Sequence, residues 1–289
     1  MNEAIRIMLD RYHCSSIVDY ENALKEIIQE IALLGLWRSK FFEKAAFYGG
    51  SALRILYGLD RFSEDIDFSL LQPDRSFSLA DYCRAVEEEL KSFGFSVVVE
   101  TNEKKFEINV ESAFIKAGTL VNMISVDMSE SVTQKIHSGK LMKVKLEVDK
   151  DPPGNFYTEV KYIFHPIPFS VNTFTLPNLF AGKMHAILCR SWGTRVKGRD
   201  WYDLVWYARR EVPVALGHLE SRMKQTGHLE PNESLKEELM KQKLSEKIGA
   251  TDFHNARKDV ENLIKDPSSL ELWSGEFFSV VCEKIKTIQ

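Results

Sequence analysis

The spacing of hydrophobic positions changes several times along the chain, and the changes mark its parts. From Asp19 to Trp37 apolar residues recur at helical spacing, which predicts an amphipathic helix. Ala45 to Tyr48 is a short apolar run that yields at Gly49-Gly50 to a second helical stretch, with Leu53 and Leu56 three residues apart. Asp65-Ile66-Asp67-Phe68 alternates with period two, so a half-buried strand is expected with Ile66 and Phe68 toward the core and both aspartates on the other face. Ser78 is expected to cap a helix carrying Tyr82, Val86, Leu90 and Phe93, and Gly94 to stop it. The period then shortens. Phe95 to Glu100, Phe106 to Phe114, Leu120 to Met128 and Leu141 to Asp149 are alternating or β-branched segments between polar turns, predicting a mixed, mostly antiparallel sheet. Asp151-Pro152-Pro153-Gly154 breaks it, and Thr158 to Phe164 adds a short edge strand. From Leu176 the pattern is helical to the end, with Pro213, Pro231 and Pro267 at boundaries. The fold class expected is α+β: residues 1–172 forming the sheet with flanking helices, and residues 173–289 forming a helical domain.

Composition narrows the class without choosing a function. With 289 residues the chain can bury one large core or two modest ones. No apolar run is long enough to span a membrane, and Met1 to Asp10 lacks the basic patch, apolar stretch and small-residue cleavage site of a secretory signal; the expected location is the cytoplasm, with no membrane partner. Cys14, Cys83, Cys189 and Cys282 are scattered without a Cys-x-x-Cys pair, so spacing indicates neither a zinc site nor a disulfide framework. The histidines form no metal pair or triad by spacing, and His185 reads as a packing or surface residue. A net charge of −4 argues against coating nucleic acid by bulk attraction. Between Leu176 and Arg210, however, Lys183, Arg190, Arg195, Lys197, Arg199, Arg209 and Arg210 face only Asp200 and Asp203, a basic segment that suits a solvated helix or a site handling triphosphate and an RNA end.

The chemistry concentrates around two motifs. Gly49-Gly50 lets backbone approach a ligand without a Cβ in the way, and Ser51 is placed as N-cap or first-turn residue of a helix whose N–H groups favour phosphate. An ordinary capped turn would look the same. Asp65 and Asp67, at a rise of roughly 3.3 Å per residue, begin about 6.6 Å apart on one strand face, close enough to converge on Mg²⁺. Aspartate disfavours strands, so two on one strand need a reason. In Lys143-Val144-Lys145-Leu146-Glu147-Val148-Asp149, Glu147 and Asp149 share a face, and either could supply a third carboxylate. On the helical pattern Arg199 and Asp203 are four apart and Asp200 and Asp203 three apart, a geometry for an ion-pair cluster buttressing Lys183. No Walker lysine or Gly-x-Ser-x-Gly pattern is present.

Gly49-Gly50-Ser51-Ala52-Leu53-Arg54, the Arg61-x-Ser63-x-Asp65-x-Asp67 block and Gly198-Arg199-Asp200-Trp201-Tyr202-Asp203-Leu204 resemble the AbiEii/AbiGii (MenT-like) nucleotidyltransferase toxins, a branch of the polymerase-β-type nucleotidyltransferases. The matching blocks run from Phe47 to Tyr207. The resemblance implies a nucleotidyltransferase sheet whose active-site cleft the helical domain completes. It implies catalytic Asp65, Asp67, Glu147, Lys183 and Asp203, with Asp65, Asp67 and Glu147 as ligands of two Mg²⁺ ions or of Mn²⁺. It also implies nucleotide binding by Gly49, Gly50, Ser51, Arg61, Ser63, Lys183 and Arg199. NMP would pass from an NTP to an acceptor hydroxyl, a tRNA 3′ end in some relatives, and a cognate antitoxin would restrain the enzyme as one half of a toxin–antitoxin or phage-defence pair. Two other readings stay open: transfer to a small-molecule or protein hydroxyl, and a nucleotide-binding module without transfer activity.

Overall fold

The structure, a computed structural model, describes residues 3–101, 109–118, 122, 140–190 and 196–289. Helix α1 (Glu3–Asp10) precedes α2 (Ile17–Arg38), which starts at a capping box: Ser16 Oγ accepts from the Asp19 N–H at 3.1 Å and Asp19 Oδ2 accepts from the Ser16 N–H at 2.9 Å. Every residue of α2 from Glu26 to Leu36 is buried, so its polar members need partners. Glu26 takes a hydrogen bond from Tyr12 Oη at 3.0 Å and one from Arg54 Nε at 2.8 Å. Gln29 Nε2 donates to the Ser63 carbonyl at 2.8 Å, tying the loop before the next strand to this helix.

Seven strands form one mixed sheet: β1 (Ala45–Tyr48), β2 (Asp65–Leu70), β3 (Val97–Thr101), β4 (Val110–Gly118), β5 (Leu141–Asp149), β6 (Thr158–Ile163) and β7 (Phe169–Phe174), in the order β3-β4-β5-β2-β1-β7-β6. The β1/β2, β3/β4 and β4/β5 pairs are antiparallel, and β2/β5 and β1/β7 are parallel. Helix α3 (Gly49–Tyr57) follows β1 directly, and α4 (Ala80–Ser92) separates β2 from β3. Phe47 and Phe68, opposite one another across β1 and β2, are fully buried with Phe41, whose ring meets Phe68 edge-on at 4.7 Å.

The remaining elements are α5 (Leu176–Cys189), α6 (Gly198–Arg209), β8 (Val214–Ala215), α7 (Leu216–Gln225), α8 (Glu237–Gly249), α9 (Phe253–Val260), α10 (Gly275–Lys284) and β9 (Thr287–Ile288). Two compact units result. One comprises Met1–Gly58, Phe62–Pro152 and Val160–Thr173; the other comprises Leu59–Arg61, Pro153–Glu159 and Phe174–Gln289. In the helical unit Trp201, Phe253 and Phe278 pack as one aromatic cluster, and Phe180 stacks on Tyr207 at 4.2 Å.

Several expected elements shift. Ser78 does not cap α4: the helix opens after Leu79, which is itself in helical conformation, and the Leu79 N–H is satisfied at 2.6 Å by Glu111 Oε2 of β4. The strand expected at Phe106 to Phe114 is found at Val110–Gly118, with residues 106–108 outside the described residues. The strand expected from Leu120 to Met128 also lies outside them, Asn122 excepted. The chain is not helical to its end, because β8 and β9 pair in a two-stranded parallel sheet. Strand β7 has no counterpart in the segments read from the pattern, although Phe169, Val171 and Thr173 alternate; its pairing to β1 brings Thr173 opposite Phe47, a contact that local patterning does not encode.

Candidate active site

Strand β2 is the fourth of the seven, flanked by β1 and β5. Its parallel register with β5 sets Asp65 opposite Lys145, Asp67 opposite Glu147 and Ser69 opposite Asp149. Registered neighbours on adjacent strands, roughly 4.8 Å apart, project to the same side, so Asp65, Asp67, Lys145 and Glu147 share one face. Ile66, Phe68, Leu146 and Val148 are buried on the other. All four polar residues are half-buried, held by a rigid strand and still open to solvent. Lys145 Nζ bonds Glu147 Oε1 at 2.6 Å, which offsets part of the negative charge. Asp149 lies one pair further along, opposite Ser69, and its Oδ1 accepts from the Asp151 N–H at 3.1 Å. By register, then, Glu147 stands beside Asp67, whereas Asp149 is turned to the loop that follows β5.

The turn between β1 and α3 is built around Asp67. Tyr48 pairs with Asp67 across the ladder, and Gly49 follows at a φ of +82°. A Cβ on Gly49 would lie 2.5 Å from Asp67 Oδ2 and 3.2 Å from its Cγ, so only glycine leaves room for that carboxylate. Gly50 and Ser51 are the second and third residues of α3, and the position before the helix is Tyr48 with no side-chain cap. Of the two placements expected for Ser51, the structure gives the first-turn one and not the cap. Ser51 is fully buried, and its hydroxyl donates to the Asp65 carbonyl, spending its single O–H on anchoring the end of β2. Ser63, half-buried, is fixed through its carbonyl by Gln29.

In the helical unit a compact ionic cluster surrounds Lys183. Arg61 grips Asp203 with both prongs of its guanidinium, Nε to Oδ1 at 2.6 Å and Nη2 to Oδ2 at 2.6 Å, with Arg61 2% and Asp203 0% exposed. Lys183 Nζ lies 2.8 Å from Asp203 Oδ2 and 2.6 Å from Asp200 Oδ1. Arg190 reaches the second oxygen of Asp200 at 3.4 Å. Burial works against the Lys183 ammonium, but Asp200 and Asp203 outweigh it and hold its pKa above the usual lysine value. Burial likewise opposes the Asp200 carboxylate, and Lys183 and Arg190 overcome it, so its pKa falls below the usual aspartate value. The expected cluster about Lys183 thus forms, with one substitution of partner. The residue bonded to Asp203 is Arg61, while Arg199, four positions from Asp203 on α6, forms an ion pair with Asp259 at 3.8 Å. Arg61 and Asp203 lie too far apart in sequence for spacing to pair them. Gly198, which opens α6, is explained by packing: a Cβ there would sit 1.7 Å from the Ala256 carbonyl oxygen.

Spacing also missed a group elsewhere in the helical unit. His185, Cys189 and His228 each bring one donor atom within 4.8 Å of the others. The only local signal was the four-residue step from His185 to Cys189; His228 joins through the tertiary fold.

Residues 31–274 match the model of the family described as nucleotidyl transferase AbiEii toxin, type IV TA system. No curated protein sequence matches the chain. Among solved structures the chain is similar to MenT4, a nucleotidyltransferase toxin from Mycobacterium tuberculosis H37Rv, at 14% identity and a TM-score of 0.51, covering 96% of this chain and 93% of that one. It is also similar to JHP933 from Helicobacter pylori at 19% identity and a TM-score of 0.48, covering 91% and 90%. At such identities the likeness to MenT4 speaks to the fold, whereas the family match spans most of the sequence: the chain belongs to the AbiEii family, the nucleotidyltransferase toxins of type IV toxin–antitoxin systems.

Proposed function

We propose that the protein transfers NMP from an NTP to an acceptor hydroxyl at the face formed by Asp65, Asp67 and Glu147, with a tRNA 3′ end as acceptor and a cognate antitoxin as its restraint. The observation that carries this reading is the register of β2 on β5, which aligns Asp67 with Glu147 while Gly49 leaves the Asp67 carboxylate its space. Carboxylate oxygens suit a hard divalent cation, Mg²⁺ or Mn²⁺, and two such ions would be held by Asp65 and Asp67 with Glu147 completing one of the sites. What the ions supply when bound is neutralisation of the triphosphate oxygens and a lowered pKa of the acceptor hydroxyl. The chain's own part is positioning. The backbone of Gly49 and Gly50, at the start of α3, receives phosphate; the hydroxyl oxygen attacks the α-phosphorus, its proton passes to a carboxylate of the acidic face, and the bond to the β-phosphate oxygen breaks to release pyrophosphate. Ser51 serves indirectly, by holding the Asp65 backbone. Within the helical unit Asp203, Asp200 and Arg61 fix the Lys183 ammonium in place. The basic run that includes Lys197, Arg209 and Arg210 supports RNA over a small-molecule acceptor, and this part of the reading extends to a cytoplasmic role in phage defence.

The test incubates the protein and its Asp65→Ala/Asp67→Ala variant with Mg²⁺, each of four α-³²P nucleoside triphosphates, and total cellular RNA and protein. Label in a tRNA-sized band only with intact aspartates is the expected result and names the donor. Label in protein alone would overturn the RNA acceptor; nucleotide binding without label anywhere would overturn transfer.

A further inference from the structure

We propose that the helical unit contains a separate site for one zinc-class cation, formed by His185, Cys189 and His228. The site does not depend on the transfer reaction. His185 and Cys189 lie four residues apart on α5 and so share one face of the helix, and His228 comes from the turn after α7. Two imidazole nitrogens and a thiol sulfur are the donor types that zinc selects over the oxygen ligands preferred by magnesium. With Zn–N near 2.0 Å and Zn–S near 2.3 Å, a tetrahedral centre sets its donors roughly 3.5 Å apart, so a cluster whose donors lie within 4.8 Å needs side-chain adjustments of about 1 Å to close.

A second feature already draws the two rings together. Thr226 Oγ1 lies 2.9 Å from His185 Nε2 and 2.9 Å from His228 Nδ1, while its own hydroxyl donates to the Arg222 carbonyl at 2.9 Å. With its proton committed, that oxygen accepts an N–H from each imidazole and orients both rings, as an outer-shell partner of metal-binding histidines does. The rings stand nearly perpendicular, at 88°, with centroids 6.2 Å apart. Cys189 and His228 also border a cavity of about 250 Å³ that Glu246 lines, so a carboxylate oxygen shares the recess. Lys243 and Lys247 line the recess too; burial pushes the Cys189 thiol up to about 11 against their partial pull, so a cation displaces the thiol proton as it binds. A cation here would clip the end of α5 to the end of α7, on the same helix that bears Lys183.

The test titrates chelator-treated protein with Co²⁺, a spectroscopic substitute for Zn²⁺, in the Asp65→Ala/Asp67→Ala background so that the acidic face does not compete. The expected result is one equivalent of tetrahedral cobalt with a thiolate-to-metal charge-transfer band, bleached by Zn²⁺ and absent in Cys189→Ser. His228→Asn, a change at an exposed residue, weakens binding at least tenfold without loss of fold. Zn²⁺ at 100 times its Kd raises the melting temperature by about 5 °C in the parent and not in Cys189→Ser. Absence of the thiolate band, or its persistence in Cys189→Ser, would overturn the proposal.

Discussion

Replacing Gly49 with alanine separates the backbone demand of the turn from the space it leaves for a carboxylate. At φ +82° an alanine is strained by about 1–2 kcal/mol, of which roughly 0.4–1 is returned because alanine has less freedom to lose from the unfolded chain, leaving a net cost near 1 kcal/mol. The new Cβ would also stand 2.5 Å from Asp67 Oδ2. That neighbour is the tip of a side chain, so the contact is relieved by displacing the carboxylate from its position at little further expense in stability. Gly58 is the control. It has φ +73° with nothing within 4 Å of its would-be Cβ, hence the same strain with no clash. Urea denaturation of both variants is therefore expected to show similar losses, near 1 kcal/mol. Nucleotide transfer in Gly49→Ala falls about 100-fold, the usual consequence of misplacing a reacting group by about 1 Å, whereas Gly58→Ala stays within twofold of the parent. Equal activities for the two variants would refute the assignment of Asp67 to the reaction. A loss of stability several kcal/mol larger in Gly49→Ala would show that the turn, and not the carboxylate, gives way.

The choice of third carboxylate is tested by Glu147→Gln, expected to lower transfer at least 100-fold, against Asp149→Asn, expected to change it less than threefold; steady-state rates with labelled NTP distinguish them. Arg61→Met leaves the buried Asp203 without its bidentate partner and should cost about 3–5 kcal/mol in urea unfolding, with part recovered in Arg61→Met/Asp203→Leu; a single variant as stable as the parent would contradict the buried pair. His218, 1% exposed and packed edge-on against the stacked rings of Phe156 and Phe174 with Nδ1 donating to the Gly154 carbonyl, has its pKa pushed down to about 4 by burial. Because its folded pKa lies below the unfolded value, its contribution is fully present above about pH 6.5 and is lost as pH falls toward 4, by up to roughly 3 kcal/mol. Measured stability should fall through that window, and His218→Asn, which can still donate to Gly154, should flatten the fall; an identical profile in the variant would exclude His218 as its cause.

What the sequence made legible was local. The alternation of Asp65 to Phe68 and of Leu141 to Asp149 gave both strands and the face each acid occupies, because strand period is a property of consecutive residues. Spacing left Glu147 and Asp149 open and only the family resemblance favoured Glu147; the β2/β5 register, which no single segment carries, sets Glu147 opposite Asp67. Helical spacing placed Asp200 and Asp203 near one another, yet it offered Arg199 as their partner, since a four-residue step is visible and the long loop that brings Arg61 to Asp203 is not. Ser51 was placed in the first turn or at the cap, and the structure selects the first turn for a similar reason. A serine after two glycines looks like a cap, but the tight entry from Tyr48 begins the helix earlier and leaves the hydroxyl facing the backbone of β2.

The parallel pairing of β1 with β7 also bears on the order in which the protein acquires its shape. Phe47 and Thr173 meet across the ladder, and the Thr173 hydroxyl donates to the Phe47 carbonyl at 2.8 Å, although well over a hundred residues intervene. Closing so long a loop must precede the reward from its contacts, which makes such pairings slow relative to that of β1 with β2, which only α3 and a short loop separate. During synthesis the strand that bears Asp65 and Asp67 gains its neighbour β5 only after residue 149 has left the ribosome, and β1 is covered on its other side only after residue 174. A nascent toxin therefore spends most of its translation without its acidic face assembled, and pulse-labelled hydrogen exchange should find the amides that bond β2 to β5 and β1 to β7 protected later than those between β1 and β2.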